Sequence, residues 1–359
     1  MEWRRDLQPL SAVSGLRLNW RFVRKALAMF SRRLVGRFEP PVEGWSLGTT
    51  LVVWYLTQVN NNDRDANRKI LAASARFVDS MLKEPTFPVA GDGFRGVWLR
   101  NPSPASHPIT FTSTVRAAAL QCTHACYPGG GFTTCTARSQ LGAIADIRKV
   151  LAKEYDLDAR IFSFDYTLAP EARYPTQIHE ALAAYSFVAT TFPTHPIVLV
   201  GDSAGGNLVL ALMLSLKAQA TMRPPAAAVV ISPWCNTDVR TFSPSYAQAH
   251  HMDAYLPLDA SDAIFHDPLV VPELGDFTGC CPVLLHYGGK ESFADDCARL
   301  AAVLRQQKVP LTVEVEPLAP HVSPILASLL GEMGLRGVRA IAAFVASTAA
   351  TTSPWQRLQ

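Results

Sequence analysis

Residues 196–211 read PIVLVGDSAGGNLVLA. Ile197, Val198, Leu199 and Val200 form a short β-rich apolar run that stops at Gly201, and after Gly206 an apolar helical pattern continues to about residue 220. Within the join, Gly201-Asp202-Ser203-Ala204-Gly205 fits the G-x-S-x-G spacing of a nucleophile-bearing turn. A strand that turns this sharply into a helix places Ser203 at a strained apex. The small residues two before and two after it let the segments pass close together. The start of the helix then aims unpaired N–H groups at any charge developing near Ser203. A glycine turn without chemistry would carry the same small residues, so the assignment depends on partners elsewhere in the chain.

Strands and helices alternate on both sides of this stretch. Phe94 to Arg100 and Arg160 to Asp165 read as strands before it, and Ala226 to Ser232, Cys281 to Tyr287 and Leu311 to Val315 as strands after it. Helical spacing covers Ser139 to Tyr155, Pro175 to about Thr190, Ala294 to Gln306, and one or two helices from Pro324 to Ala349. This is an α/β pattern with a mostly parallel sheet covered on both faces. Residues 101–126 are the least legible: Ile109 to Thr114 could be a strand, and Cys122 to Tyr127 is a poor one by composition. Residues 234–279 interrupt the alternation with a polar excursion holding Trp234, Tyr246, Met252 and Tyr255, which predicts a cap over a site. The expected division is an N-terminal helical region over 1–89 and a main domain over 90–350, with the cap inserted at about 234–279.

At 359 residues and 48% apolar composition the chain can bury a large core. A net charge of +3 argues against nucleic acid as a partner. The charge is unevenly spread: residues 1–40 hold nine Arg and Lys against three acids, a net of +6, which leaves −3 for the rest. Residues 12–38 suggest a basic amphipathic helix that either lies on an anionic membrane surface or packs its apolar side on the body of the protein. Further helices are expected over 45–58 and from about Asp63 to Leu82. The apolar run Leu47 to Leu56 is too short to span a bilayer, and no secretory h-region opens the chain, which predicts an intracellular protein, cytoplasmic or peripherally membrane-associated. Seven cysteines without regular spacing make no disulfide framework. Cys122, Cys126 and Cys135 with His124 do not match a zinc ladder, and no metal is expected.

A serine needs a base to take its proton. Glu291, in Gly288-Gly289-Lys290-Glu291, and His321, in Pro320-His321-Val322, each sit just past one of two consecutive later strands. They follow Ser203 in the order nucleophile, acid, base. His321 would deprotonate Ser203 and Glu291 would hold the imidazole in its useful tautomer. Asp295 and Asp296 are competing acids, although helix-start contacts explain them as well. Gly129, Gly130 and Gly131, three successive glycines before Phe132, would join the N–H of Ala204 in an oxyanion hole, unless they are a plain flexible loop.

Taken together, the motifs resemble the hormone-sensitive-lipase-like branch of the α/β-hydrolase fold across about residues 90–345. The GDSAGG elbow matches residues 201–206, the Y-x-L-A-P-E segment with its nearby proline matches Tyr166 to Pro175, and Asp267-Pro268-Leu269 resembles the stretch before the acid. The resemblance extends in flavour to fungal relatives, including steryl-acetyl-hydrolase-like enzymes and hydrolases of secondary metabolism. It implies a cofactor-free carboxylic ester hydrolase, an esterase or deacetylase acting on small to medium, apolar small-molecule esters, with Ser203, Glu291 and His321 as its triad. A non-hydrolytic small-molecule binder, or a dehydratase or lactone-handling enzyme on the same fold, is the alternative. One departure stands out. The family's glycine loop opens on histidine, where this chain has Pro128, so a retained but altered loop is expected.

Overall fold

The computed structural model describes residues 13–60, 85–99, 120–219, 221–241 and 250–352, with isolated positions between 64 and 82. The strand expected over Ile109 to Thr114 and most of the helix expected over Asp63 to Leu82 lie outside the described residues. The chain divides into two compact units, Met1–Ser74 and Ala75–Gln359.

In the first unit, helices α1 (Val13–Leu34) and α2 (Leu47–Asn60) pack against each other. Ser46 precedes α2, and its hydroxyl accepts the N–H of Thr49 at 3.0 Å, satisfying one of the orphan donors of the helix start. Met29 and Trp45 are buried, whereas Val23, Leu27, Phe30 and Leu34 of α1 are exposed. Among the described residues no helix is long and apolar enough to cross a membrane.

The second unit is built on one eight-stranded sheet in the order β1-β2-β4-β3-β5-β6-β7-β8. The strands are β1 (Thr86–Gly91), β2 (Phe94–Leu99), β3 (Leu120–Tyr127), β4 (Leu157–Phe164), β5 (Ile197–Asp202), β6 (Ala227–Ile231), β7 (Val283–Gly288) and β8 (Leu311–Glu316). β1 and β2 pair antiparallel, as do β2 and β4; every pairing from β4 through β8 is parallel. A parallel sheet must be covered on both faces, and the period of two along its strands divides the side chains between two cores. Leu199, Val230 and Leu285 enter one core, with Ile178, Leu208 and Leu300 from helices α4 (Thr176–Thr191), α5 (Ala204–Gln219) and α7 (Ala294–Gln306). Val198, Val200, Val229 and Leu284 enter the other, with Ile144 of α3 (Leu141–Tyr155) and Val338, Ile341 and Val345 of α9 (Glu332–Thr352). Among the described residues the unit also holds two short α-helices, α6 (His250–Tyr255), inside the excursion after β6, and α8 (Ala327–Leu330).

Two strands are poorly announced by their sequence. β3, with its composition of Gln, Cys, Thr and His, occupies the centre of the sheet between β4 and β5. Burial on both faces outweighs its low propensity: Ala125 and Tyr127 point into one core and Cys126 into the other. His124 is buried beside them, and desolvation lowers its pKa to about 4, which keeps the imidazole neutral. β1 is an outer strand that carries Pro88, a residue that donates to no ladder and that sheets tolerate at their edges. It straddles the boundary that the sequence reading places between residues 89 and 90, and it is hydrogen-bonded into the main sheet.

Candidate active site

β5 ends at Asp202 and α5 begins at Ala204, so Ser203 alone makes the turn. Its φ is +52°, a left-handed conformation uncommon for a residue with a side chain. Three backbone bonds hold it there. The Ser203 N–H donates to Ile231 at 2.9 Å, and its carbonyl accepts the N–H groups of Trp234 at 2.9 Å and Asn207 at 3.0 Å. The glycines of the motif are steric requirements. A Cβ on Gly201 would lie 2.3 Å from the Gly205 carbonyl oxygen, and one on Gly205 would lie 1.8 Å from that of Tyr127.

Glu291 and His321 leave the ends of neighbouring strands β7 and β8. Their loops interlock through the bond from Lys290 N–H to the Ala319 carbonyl at 3.0 Å. A Cβ on Gly288 would meet that same Ala319 oxygen at 2.2 Å, so the approach needs a glycine there. Val322, at φ +52°, donates its N–H to the Ser232 hydroxyl at 3.0 Å and ties the histidine loop to the end of β6. The result brings three distant residues together. His321 Nδ1 lies 2.7 Å from Glu291 Oε2, and Nε2 lies 3.0 Å from Ser203 Oγ. A carboxylate only accepts, so the pairing places the imidazole proton on Nδ1 and leaves Nε2 open to the serine proton. The Glu291 side chain is fully buried, and its other oxygen accepts the Gly288 N–H at 3.3 Å. The ring of Phe293 stands edge-on to His321 with centroids 5.0 Å apart.

The glycine loop lies against the elbow, but its members have different jobs. Gly129 departs from the sequence expectation: its N–H donates to Asp202 Oδ1 at 3.1 Å and is not available to an oxyanion. Gly130, at φ +114°, and Gly131, at φ +61°, carry the loop past the turn. Their N–H groups and that of Ala204 have no acceptor among the described residues. Pro128 is accommodated through its carbonyl, which accepts the Tyr166 hydroxyl at 2.8 Å; no N–H at this position is needed to anchor the loop.

Asp202 is the site residue whose role the sequence motif hides. Its second oxygen accepts the Gln140 amide at 2.9 Å, so one buried carboxylate joins elbow, glycine loop and the residue before α3. Burial raises its pKa to about 6, against the opposing pull of the Gly129 and Gln140 donors and of nearby His321.

The excursion between β6 and β7 is anchored over this edge of the sheet. Asn207 of α5 donates to the carbonyls of Trp234 and Val270, and Arg173 donates to those of Asp253 and Leu256. Phe132 stacks on Tyr255 of α6 with centroids 3.9 Å apart, which joins the glycine loop to the excursion. Residues 242–249, including Tyr246, lie outside the described residues. Among the described residues no group of three or more His, Cys, Asp or Glu could hold a metal ion.

Among known proteins, residues 125–324 match the alpha/beta hydrolase fold family. The chain belongs to that family. As an α/β hydrolase it is similar to an acetyl-hydrolase of Streptomyces hygroscopicus, 31% identical over 176 residues that make up 46% of this chain and 57% of the relative. An esterase of Acinetobacter venetianus is 33% identical over 161 residues, 42% of this chain and 52% of that one. The α/β hydrolase thus spans a little over half the length of these curated relatives. Its fold resembles that of a crystallised esterase from the bacterial hormone-sensitive lipase family, with a TM-score of 0.66 at 23% identity, covering 85% of this chain and 99% of the other.

Proposed function

We propose that the protein is a serine carboxylic ester hydrolase that cleaves small to medium acyl esters, acetates foremost, through an acyl-enzyme. The observation that carries this reading is the line from Ser203 Oγ to His321 Nε2 at 3.0 Å and from Nδ1 to the buried Glu291 carboxylate at 2.7 Å. The acetyl-hydrolase and esterase relatives support the same class of substrate.

In the proposed mechanism the Ser203 hydroxyl attacks the ester carbonyl while His321 Nε2 takes its proton. Glu291 stabilises the imidazolium and keeps its orientation. Negative charge moves to the former carbonyl oxygen, where the N–H groups of Gly130, Gly131 and Ala204 are the proposed donors. Each donor acts on charge that appears only in the transition state, and loss of one typically costs about 3 kcal/mol. The intermediate collapses as His321 protonates the departing alcohol. Water, deprotonated by the same nitrogen, then frees the acid and restores Ser203. The excursion over residues 234–279 serves as the cap, and its contacts with Phe132 and Asn207 support that role.

Hydrolysis of p-nitrophenyl acetate and butyrate by the purified protein, beside a Ser203→Ala variant, tests the assignment. The native protein is expected to hydrolyse both with the acetate preferred, and equal background rates in the two proteins would refute it.

Asp202 adds a pH signature. Its carboxyl ionises near pH 6, and the charge strengthens the bond that holds Gly129. As pH falls through 6 the carboxyl takes up a proton and the bond weakens. Part of the acid limb of kcat/KM is therefore expected to follow Asp202 protonation near pH 6. Asp202→Asn keeps an accepting oxygen without the charge and should remove that part of the limb. Identical limbs in both proteins would show that the Asp202 charge has no part in the reaction.

A further inference from the structure

Helix α1 presents two different sides. Val23, Leu27, Phe30 and Leu34 recur at intervals of four, three and four, which gathers them within about 60° of the helix circumference. They are 43%, 64%, 52% and 73% exposed, whereas Met29, on another side, is only 7% exposed. The spacing continues backwards in the sequence to Trp20 and Leu16. A row of large apolar side chains left in water on one helix marks an interaction surface.

The charges identify its partner. Residues 7–38 contain seven Arg and Lys and no Asp or Glu. Arg24, Lys25, Arg32, Arg33 and Arg37 are exposed, and none forms an ion pair among the described residues. On the helical wheel Arg24 and Arg33 border the apolar row on its two sides. A second copy of the helix could in principle pair with this row, because the four-three spacing is also that of a coiled-coil seam. The positions flanking such a seam then hold Arg24 and Arg33, and with no Asp or Glu in residues 7–38 the same helix of a second copy offers neither of them a counter-charge. An anionic bilayer surface satisfies both features at once: apolar side chains enter the acyl boundary while arginine and lysine heads stay at the phosphates.

We propose that α1 is an interfacial helix that docks the protein on anionic lipid surfaces, with Val23, Leu27, Phe30 and Leu34 inserted and the flanking arginines on the lipid phosphates. The helix lies in the plane of the interface, since its charges exclude a spanning orientation. This proposal does not rest on the hydrolase reading.

Co-sedimentation of the full-length protein with vesicles tests it. The native protein is expected to pellet with phosphatidylcholine vesicles containing about 30% phosphatidylserine. It should stay in solution with phosphatidylcholine alone and be released by high salt. Leu27→Asn with Phe30→Asn should weaken the partition about a hundredfold, and Arg24→Gln with Arg33→Gln about tenfold. Both variants should keep the circular dichroism of the native protein, because all four side chains are exposed. Failure of the native protein to bind, or binding untouched by the Leu27 and Phe30 changes, would overturn the proposal. So would a native dimer that those changes convert to a monomer without any vesicle binding, which would make the row a seam between copies.

Discussion

Ser203→Ala is expected to lower kcat on p-nitrophenyl acetate by about 10⁴-fold or more, with KM nearly unchanged. The substitution removes the attacking oxygen and leaves the space, the cap and the N–H donors in place, so ester binding survives while covalent chemistry stops. His321→Ala should cost a similar factor, since Ser203 without its base is a neutral alcohol at pH 7. The double variant should be no slower than either single one, because the serine and the histidine at 3.0 Å act as a unit. Steady-state kinetics on the three proteins reads all of this. Losses that multiply in the double variant would mean that the two side chains act independently and that the relay is not the working unit.

The second large effect falls on the scaffold. Gly205→Ala is expected to destabilise the fold by about 3 kcal/mol. The new Cβ would stand 1.8 Å from the Tyr127 carbonyl oxygen and 2.7 Å from its carbon, both backbone atoms at the end of the central strand β3. Neither can swing away as a side chain could. Relief requires α5 to retreat from the glycine loop, which also widens the gap between Ala204 and Gly130. Gly279→Ala is the matched control: its φ of +79° strains any side chain, but no atom lies within 4 Å of the new Cβ. That strain alone amounts to about 1 kcal/mol. Urea denaturation of the two variants distinguishes contact from conformation. A Gly205→Ala protein as stable as Gly279→Ala would show that the close packing of elbow on loop is not required.

What the sequence disclosed and what it hid follow from the range of the interactions. The elbow is legible because every requirement is local: a strand, a residue at positive φ, and glycines where backbones touch. Glu291 and His321 are legible because a parallel sheet sends the loops after its strands to one edge, so order along the chain becomes proximity in space. β3 is obscured because its stability comes from neighbours on four sides rather than from its own composition, and β1 because Pro88 reads as a loop until its outer position is known. Asp202 passes as a spacer within the motif, since nothing nearby in sequence announces that Gly129 and Gln140 converge on it. The same convergence answers the concern over Pro128. The loop is held by the Asp202 carboxylate and the Tyr166 hydroxyl, neither of which uses an N–H of residue 128. The apolar row of α1 is equally ambiguous in sequence, because a helix that packs its row on its own chain and one that leaves it free for a partner share a period; in the structure the row is exposed.

The central claim is that Ser203 is an activated nucleophile. Treatment of the native protein with a fluorophosphonate, followed by peptide mass spectrometry, tests it most directly, because the reagent bonds far faster to a serine whose proton is being taken up by a base than to an ordinary hydroxyl. The predicted result is one phosphonyl group on the peptide that contains Ser203, loss of ester hydrolysis in step with labelling, and little labelling of His321→Ala. Unmodified Ser203 in a protein that still hydrolyses esters, or labelling that persists without His321, would contradict it.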